Sequence, residues 1–100
     1  MANANETIVS EIKAFMAKWG GRYIDWYVGI ASDPKQRLFN DHGVNEKSDG
    51  WIYREAFNSD SARLVEDYFV NTLGTSGDTG GGDNTTKFVY AYKKVSHTTE

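Results

Sequence analysis

The chain has 100 residues, no cysteine and one proline. Without cysteine, it can form no disulfide, no thiolate metal site and no cysteine nucleophile. It also has no apolar run long enough to span a membrane, and its first residues lack the basic and apolar pattern of a signal peptide. These absences predict a cytoplasmic protein without a membrane partner.

Basic residues are few as well. The 11 Lys and Arg residues are outnumbered by 14 Asp and Glu residues, which gives a formal net charge of −3. Strong non-specific binding to duplex nucleic acid comes mainly from basic residues that displace counterions, so the overall composition argues against it. A local basic surface is still compatible with this charge. The length suits one small domain with one core, and we expect residues 1–100 to form it.

The hydrophobic pattern predicts three helices that alternate with three strands. Apolar residues recur at helical spacing from Ile8 to Trp19, and Gly20 supplies the stop. Aromatic and β-branched residues mark the strands. The expected elements are an N-terminal helical extension in residues 1–20, strands over 22–31, 51–57 and 87–93, and helices over 34–42 and 61–73. This order predicts an α+β domain in which helices flank a small three-stranded sheet.

A loop rich in glycine, threonine and aspartate occupies residues 74–86. It has no Gly-Lys-Ser/Thr ending and leads into a strand, so it does not match a phosphate-binding P-loop. We expect an exposed connection.

Glu66 is the anomaly of the third predicted helix. It lies on the apolar stripe, four residues after Ala62 and three before Phe69. A carboxylate there should be paired, metal-bound or at the rim of a cleft, because burying it unpaired costs several kcal/mol. The alternative is a glutamate on the helix flank that pairs with Arg63, and the helix alone slightly favours that salt bridge.

Segment 26–38 joins a predicted strand to a short helix through a turn. Ser32 or Asp33 can cap a helix that begins at Pro34. Tyr27 lies near the strand's end, and Arg37 follows ten residues later on the helix. Taken singly, the tyrosine would be a packing residue and the arginine a solvated helix residue. On the predicted strand, Tyr27 shares one face with Tyr23 and Asp25.

Tyr27, Val28, Gly29 and Arg37 resemble the second signature of the GIY-YIG nuclease superfamily. That signature is a Tyr-(Ile/Val)-Gly strand end followed by a capped helix with an essential arginine. The resemblance implies a GIY-YIG-like fold and a metal-dependent endonuclease that cleaves phosphodiesters. Such nucleases carry one metal-binding glutamate on a late helix, and the resemblance therefore implies this role for Glu66.

The first signature of that family, Gly-Ile-Tyr, is not in its usual place before Tyr27. Phe88-Val89-Tyr90 in the last predicted strand reads like an equivalent that has moved towards the C-terminus. A permutation-like arrangement would return this strand to the sheet and bring Tyr90 to the site. Without it, the site lacks a tyrosine that family mechanisms use.

Two more residues enter through the resemblance. Family members place a histidine near the position of His42, which otherwise has a structural role available where its helix ends before Gly43. We interpret His42 as a neighbour of the site. An asparagine that follows the glutamate helix in the family points to Asn84.

The implied mechanism uses one Mg²⁺ or Mn²⁺ ion on Glu66, with Arg37 neutralising charge on the phosphoryl oxygens. Tyr27 or Tyr90 positions or deprotonates the attacking water. The implied partner is nucleic acid, with DNA preferred over RNA, and a protein partner or homodimer is a further expectation.

Two rival functions remain open at this point. One is a catalytically inactive GIY-YIG-like module that binds nucleic acid or protein through the same face. The other is a small structural or regulatory partner that docks through its first helix. The acidic composition supports both rivals.

Overall fold

Three helices and three strands alternate along the part of the chain that the computed structural model describes, residues 2–77 and 85–100. The elements are α1 (Asn5–Trp19), a 3₁₀ turn (Tyr23–Asp25), β1 (Trp26–Ala31), α2 (Pro34–Gln36) continued by a π-helical turn (Arg37–Asp41), β2 (Trp51–Glu55), α3 (Ser59–Asp67) continued by a second π-helical turn (Tyr68–Leu73), and β3 (Phe88–Lys93). The predicted α+β class with a small three-stranded sheet is confirmed.

The last strand lies in the middle of the sheet. The order is β1-β3-β2, and β3 runs antiparallel to both neighbours. Its Tyr92 pairs with Tyr27 on one side, and its Tyr90 pairs with Gly29. The sheet therefore includes the C-terminal strand, as predicted. The permutation-like arrangement suggested for this strand requires such a sheet.

The two faces of the sheet carry two separate clusters. One face packs against α1 and α3, and α1 contributes the buried residues Ile8, Ile12 and Met16 at four-residue spacing. The N-terminal helix is thus part of the main core. The opposite face is rich in tyrosine, and the segment that begins at α2 covers it with Leu38 and Val44. Because residues alternate between faces, the tyrosines of β1 and β3 lie on this second face.

The first strand is shorter than the predicted 22–31. Asp25 closes a turn on Arg22, since its Oδ2 accepts the Arg22 N–H at 2.8 Å and its own N–H donates to the Arg22 carbonyl at 2.9 Å. The chain becomes extended only at Trp26. The prediction that Tyr23 and Asp25 share a strand face with Tyr27 is therefore wrong.

The helix boundaries also differ from the predicted ones. Asn58 caps α3 by accepting the Ser61 N–H at 2.8 Å, so the helix begins at Ser59, before the predicted residue 61. The helix predicted over 34–42 keeps α geometry only to Gln36 and then widens into a π-helical turn. Gly43 follows with φ of 72°, as a left-handed helix end requires.

The loop after α3 is not exposed throughout. Thr75 and Thr86 are buried. Ser76 pairs with the outer edge of β1, accepting from the Val28 N–H and donating to the Trp26 carbonyl, both at 2.9 Å. The predicted exposure is wrong for these residues, because the loop's beginning extends the sheet. Residues 78–84, including the candidate Asn84, lie outside the described residues.

Candidate active site

A cavity of about 390 Å³ opens where β1 ends and α2 begins. Four sequence-predicted site residues line it: Tyr27, Arg37, Glu66 and Tyr90. They come from β1, the first π-helical turn, α3 and β3. The structure therefore brings together residues that span 63 positions of the chain between Tyr27 and Tyr90. His42 lies behind this wall and contacts Tyr90.

Gly29 lets Tyr90 enter the site. A Cβ atom on Gly29 would lie 2.6 Å from the Tyr90 hydroxyl oxygen and 2.7 Å from Cζ. The φ of Gly29 is not positive, so close approach explains the glycine here. Because Gly29 pairs with Tyr90 in the antiparallel register, the ring lies across the position that a side chain would fill. Gly29 must therefore lack a side chain for the Tyr90 ring to keep its position.

Arg37 supplies the cation at the mouth of the cavity. Its side chain is 48% exposed, and its Nε contacts Asp41 Oδ2 at 3.2 Å, one turn along. Half-exposed pairs of this kind contribute about 0.3–0.5 kcal/mol, so Asp41 holds the arginine only loosely. Burial raises the pKa of the Tyr90 hydroxyl, and the Arg37 charge acts against that rise. An anion that enters the cavity would meet a cation that solvent already reaches.

Glu66 supplies a buried carboxylate to the same cavity. Its residue exposure is 2%, and it lines the cavity beside Tyr90. Glu66 is therefore not on a solvent-exposed flank of the helix. Arg63 Nη1 contacts Asp60 Oδ1 at 3.7 Å. The apolar stripe of α3 thus delivers one carboxylate into a polar cavity.

A hydrogen-bonded chain runs from the cavity into the protein through His42. His42 is 3% exposed. Its Nδ1 lies 2.7 Å from the Thr99 carbonyl, and its Nε2 lies 2.7 Å from the Tyr90 hydroxyl. A carbonyl only accepts, so Nδ1 carries the proton, and Nε2 accepts the hydrogen bond from Tyr90. Tyr90 therefore has a proton acceptor directly behind it.

The electrostatics keep both partners of this pair neutral. Burial raises the pKa of Tyr90 above its ordinary value, Tyr27 raises it further, and Arg37 acts in the opposite direction. Burial lowers the pKa of His42, against the hydrogen bond to Thr99, which raises it. A helix end that favours a charged histidine is therefore not the main influence on His42. Tyr90 is a protonated donor at neutral pH, not a phenolate.

The carboxylates around the cavity fit only an ion that keeps much of its water. The described residues 2–77 and 85–100 contain no group of three or more His, Cys, Asp or Glu side chains that could hold a metal. Glu66, Asp33 and Asp41 line the cavity, and Asp33 already accepts the Gln36 N–H at 3.2 Å. Mg²⁺ commonly binds through one or two carboxylates, several waters and substrate phosphates, and the donor set suits that mode.

Two contributors to the site were not predicted from the sequence. Thr86 lines the cavity from the chain just before β3, and the Thr99 carbonyl holds His42. Neither belongs to a motif with a recognised spacing. Both act through positions that the sheet register and the path of the chain after β3 determine.

Models of protein families, curated proteins and solved structures yield no match to this chain. Within the described residues, none of the helices has the length and apolar character needed to cross a membrane.

Proposed function

We propose that this protein is a metal-dependent endonuclease with a GIY-YIG-like fold that cleaves nucleic-acid phosphodiesters. The observation that carries the proposal is the shared cavity. Tyr27, Arg37, Glu66 and Tyr90 line it although three different stretches of sequence supply them. Packing residues that matched a motif by chance would have no reason to converge with a buried carboxylate and an exposed cation on one polar cavity.

Arg37 binds the scissile phosphate in this proposal. Its half-exposed guanidinium can turn from Asp41 towards a phosphoryl oxygen at little cost, since the existing pair is weak. In the transition state, negative charge grows on the phosphoryl oxygens, and a fixed cation stabilises it. Asp41 then keeps the arginine near the cavity in the absence of substrate.

Tyr90 and His42 transfer the proton of the attacking water. A buried tyrosine with a raised pKa is a poor base by itself. Tyr90 can nevertheless accept a proton from water as it donates its own hydroxyl proton to Nε2 of His42. The tyrosine stays neutral, the histidine becomes an imidazolium, and the hydroxide attacks phosphorus. The Thr99 carbonyl on Nδ1 stabilises that imidazolium.

Glu66 would hold the Mg²⁺ or Mn²⁺ ion. When bound, such an ion polarises the phosphate and stabilises the leaving oxygen. Glu66 and Arg37 line the same cavity with opposite charges, so the phosphate is drawn to the Arg37 side. The nucleic acid is proposed to be DNA in preference to RNA. With a net charge of −3, the chain would need help from substrate structure or a partner to bind it tightly.

The decisive experiment measures cleavage of plasmid and single-stranded DNA by the purified protein with Mg²⁺ or Mn²⁺. Glu66→Gln keeps the size of the side chain and removes its charge, so we expect it to abolish metal-dependent cleavage. Asp67→Asn is the matched control, because it makes the same charge change at an exposed neighbour on the same helix. Loss of cleavage in Glu66→Gln alone supports the proposal.

Arg37→Ala tests the phosphate contact. We expect cleavage to slow by about 10²–10³-fold, the scale for loss of one preorganised group that stabilises charge. Asp41→Asn removes the partner of Arg37 but keeps the arginine, so it should retain most activity. A wild-type protein that cuts neither DNA nor RNA with either metal would refute the nuclease proposal.

The second candidate is a catalytically inactive module that binds nucleic acid or protein through this cavity. The raised pKa of Tyr90 favours it, because a neutral hydroxyl that already donates to His42 is a poor base for activating water. Binding that is equal in wild type and Glu66→Gln, with no cleavage by either, would support this function.

A further inference from the structure

Thr99 ties the end of the described chain to the turn that carries His42. Its N–H donates to the His42 carbonyl at 2.8 Å, and its carbonyl accepts from Nδ1 of the same residue at 2.7 Å. Its hydroxyl donates to the Asp41 carbonyl at 3.2 Å. The two residues thus exchange hydrogen bonds across 57 positions of sequence. Such a reciprocal arrangement fixes both the backbone and the ring.

The Thr99 carbonyl also organises a second ring. The Tyr92 hydroxyl donates to it at 3.1 Å and lies 3.2 Å from Nδ1 of His42. One carbonyl oxygen has two lone pairs, and His42 and Tyr92 use both. The Tyr92 hydroxyl gives its one proton to the carbonyl, so it has none to donate to Nδ1 of His42. Nδ1 therefore carries its own proton and donates it to the same carbonyl. The proton on His42 is therefore assigned by Thr99.

The position of Thr99 does not depend on His42 alone. The Lys94 N–H donates to the Asp25 carbonyl at 2.8 Å, and Lys94 Nζ lies 2.6 Å from Ser76 Oγ. Further along, His97 Nε2 contacts Asp49 Oδ2 at 2.5 Å. The segment 94–100 is thus fastened at separate points before it reaches the site, and it can hold the imidazole in place.

We propose that Thr99 is a positioning residue of the active site. Its main-chain carbonyl keeps His42 in the Nδ1–H tautomer, which leaves Nε2 ready to receive the Tyr90 proton. An imidazole in the other tautomer would direct an N–H at Tyr90 and could not accept that proton. This inference rests on the proposed nuclease function for its effect on rate, but its effect on the tautomer is independent of catalysis.

The test compares Thr99→Pro and a chain that lacks residues 99–100 with Thr99→Ala. The proline removes the N–H that donates to His42, and the deletion removes every contact that Thr99 makes. The alanine is the matched control, since it loses only the hydroxyl bond to Asp41. The deletion also serves where the proline variant fails to fold.

Nitrogen-15 NMR of the imidazole rings reads the tautomer without any substrate. The chain has two histidines, so the signals that disappear in His42→Gln are those of His42. We expect the Nδ1–H tautomer in wild type and Thr99→Ala, and a shift towards Nε2–H in Thr99→Pro and the deletion. We also expect kcat for DNA cleavage to fall by about tenfold or more with little change in KM, because proton transfer is impaired and phosphate binding is not.

Two results would overturn the inference. One is a His42 that stays Nδ1–H in the deletion, and the other is a tautomer change that leaves kcat unaltered. A tautomer change that accompanies the loss of kcat supports it. If wild type cuts no substrate, the proposed function fails, and the NMR comparison still decides whether Thr99 sets the His42 ring.

Discussion

Gly29→Ala adds only one methyl group, but we expect it to displace the Tyr90 ring. The new Cβ would lie 2.6 Å from the Tyr90 hydroxyl oxygen, whereas ordinary contact begins at 3.4 Å. The ring therefore has to retreat by about 0.8 Å, which exceeds the roughly 0.5 Å range of protein N···O hydrogen-bond lengths. Its bond to Nε2 of His42, now 2.7 Å, cannot survive such a shift undistorted.

The expected loss in free energy of unfolding has two parts. Overpacking around a buried ring costs about 1–3 kcal/mol. The hydrogen bond between Tyr90 and His42 contributes about 0.5–1.5 kcal/mol more. We therefore expect a destabilisation of about 1.5–4.5 kcal/mol in urea unfolding. Tyr90→Phe in the same chain removes the hydrogen bond to His42 but leaves Cζ 2.7 Å from the new Cβ. The double variant should then be more stable than the sum of the single effects predicts, because the shared hydrogen bond is lost only once.

Gly77→Ala is the control for overpacking that does not involve Tyr90. Its Cβ would lie 2.5 Å from the Val28 carbonyl oxygen and 2.5 Å from Val70 Cγ2, so it overpacks against β1 and not against the Tyr90 ring. We expect a similar or larger loss of stability that adds to the effect of Tyr90→Phe to within about 0.5 kcal/mol. Strictly additive effects of Gly29→Ala and Tyr90→Phe would refute the predicted loss of the hydrogen bond between Tyr90 and His42. A Gly29→Ala protein with wild-type stability would also refute it.

Two further predictions concern stability. Asn58→Ala should destabilise the fold by about 1 kcal/mol in urea unfolding, because the N-cap of α3 is lost, and Asn58→Ser should restore most of it. Lowering the pH should destabilise wild type more than His42→Gln. In the folded state, the lowered pKa keeps His42 neutral. The unfolded chain therefore binds more protons than the folded chain below about pH 6.5. This contribution is present above the unfolded pKa and is lost as the pH falls through 6.5 towards the folded pKa. Parallel unfolding curves from about pH 7.5 to 5.5 would contradict it.

The parts of the site that are close together in the sequence can be predicted from it. The strand end, the turn and the capped helix that carries Arg37 lie within segment 26–38, where nearest-neighbour chemistry decides the structure. Glu66 is visible because a carboxylate interrupts an apolar stripe. The apolar pattern of α3 correctly places Glu66 on the buried face of the helix. In the folded chain, Glu66 lines the cavity.

The contacts between residues far apart in the sequence cannot be predicted in this way. His42 faces Tyr90 because the π-helical turn before it carries an extra residue, so that the His42 N–H reaches the Arg37 carbonyl at 2.9 Å. No residue in that turn distinguishes a π from an α turn in the sequence. The contact with Thr99 depends on the path of a segment 57 positions away. Propensity acts over a few residues and cannot specify such a path.

The same strand supplies the site and holds the sheet together. β3 pairs with β1 and β2, so Tyr90 contacts Gly29 only in a chain whose sheet is complete. A large-to-small change at Tyr90 would open a cavity in the central strand and cost about 3–5 kcal/mol, which would obscure any catalytic role. Tyr90→Phe leaves the ring against Gly29 and removes only the hydroxyl that donates to His42. If Tyr90 passes a proton, this variant should lose cleavage while Arg37 still binds phosphate, and so raise KM little. If Tyr90 only fills space, it should cleave at the wild-type rate.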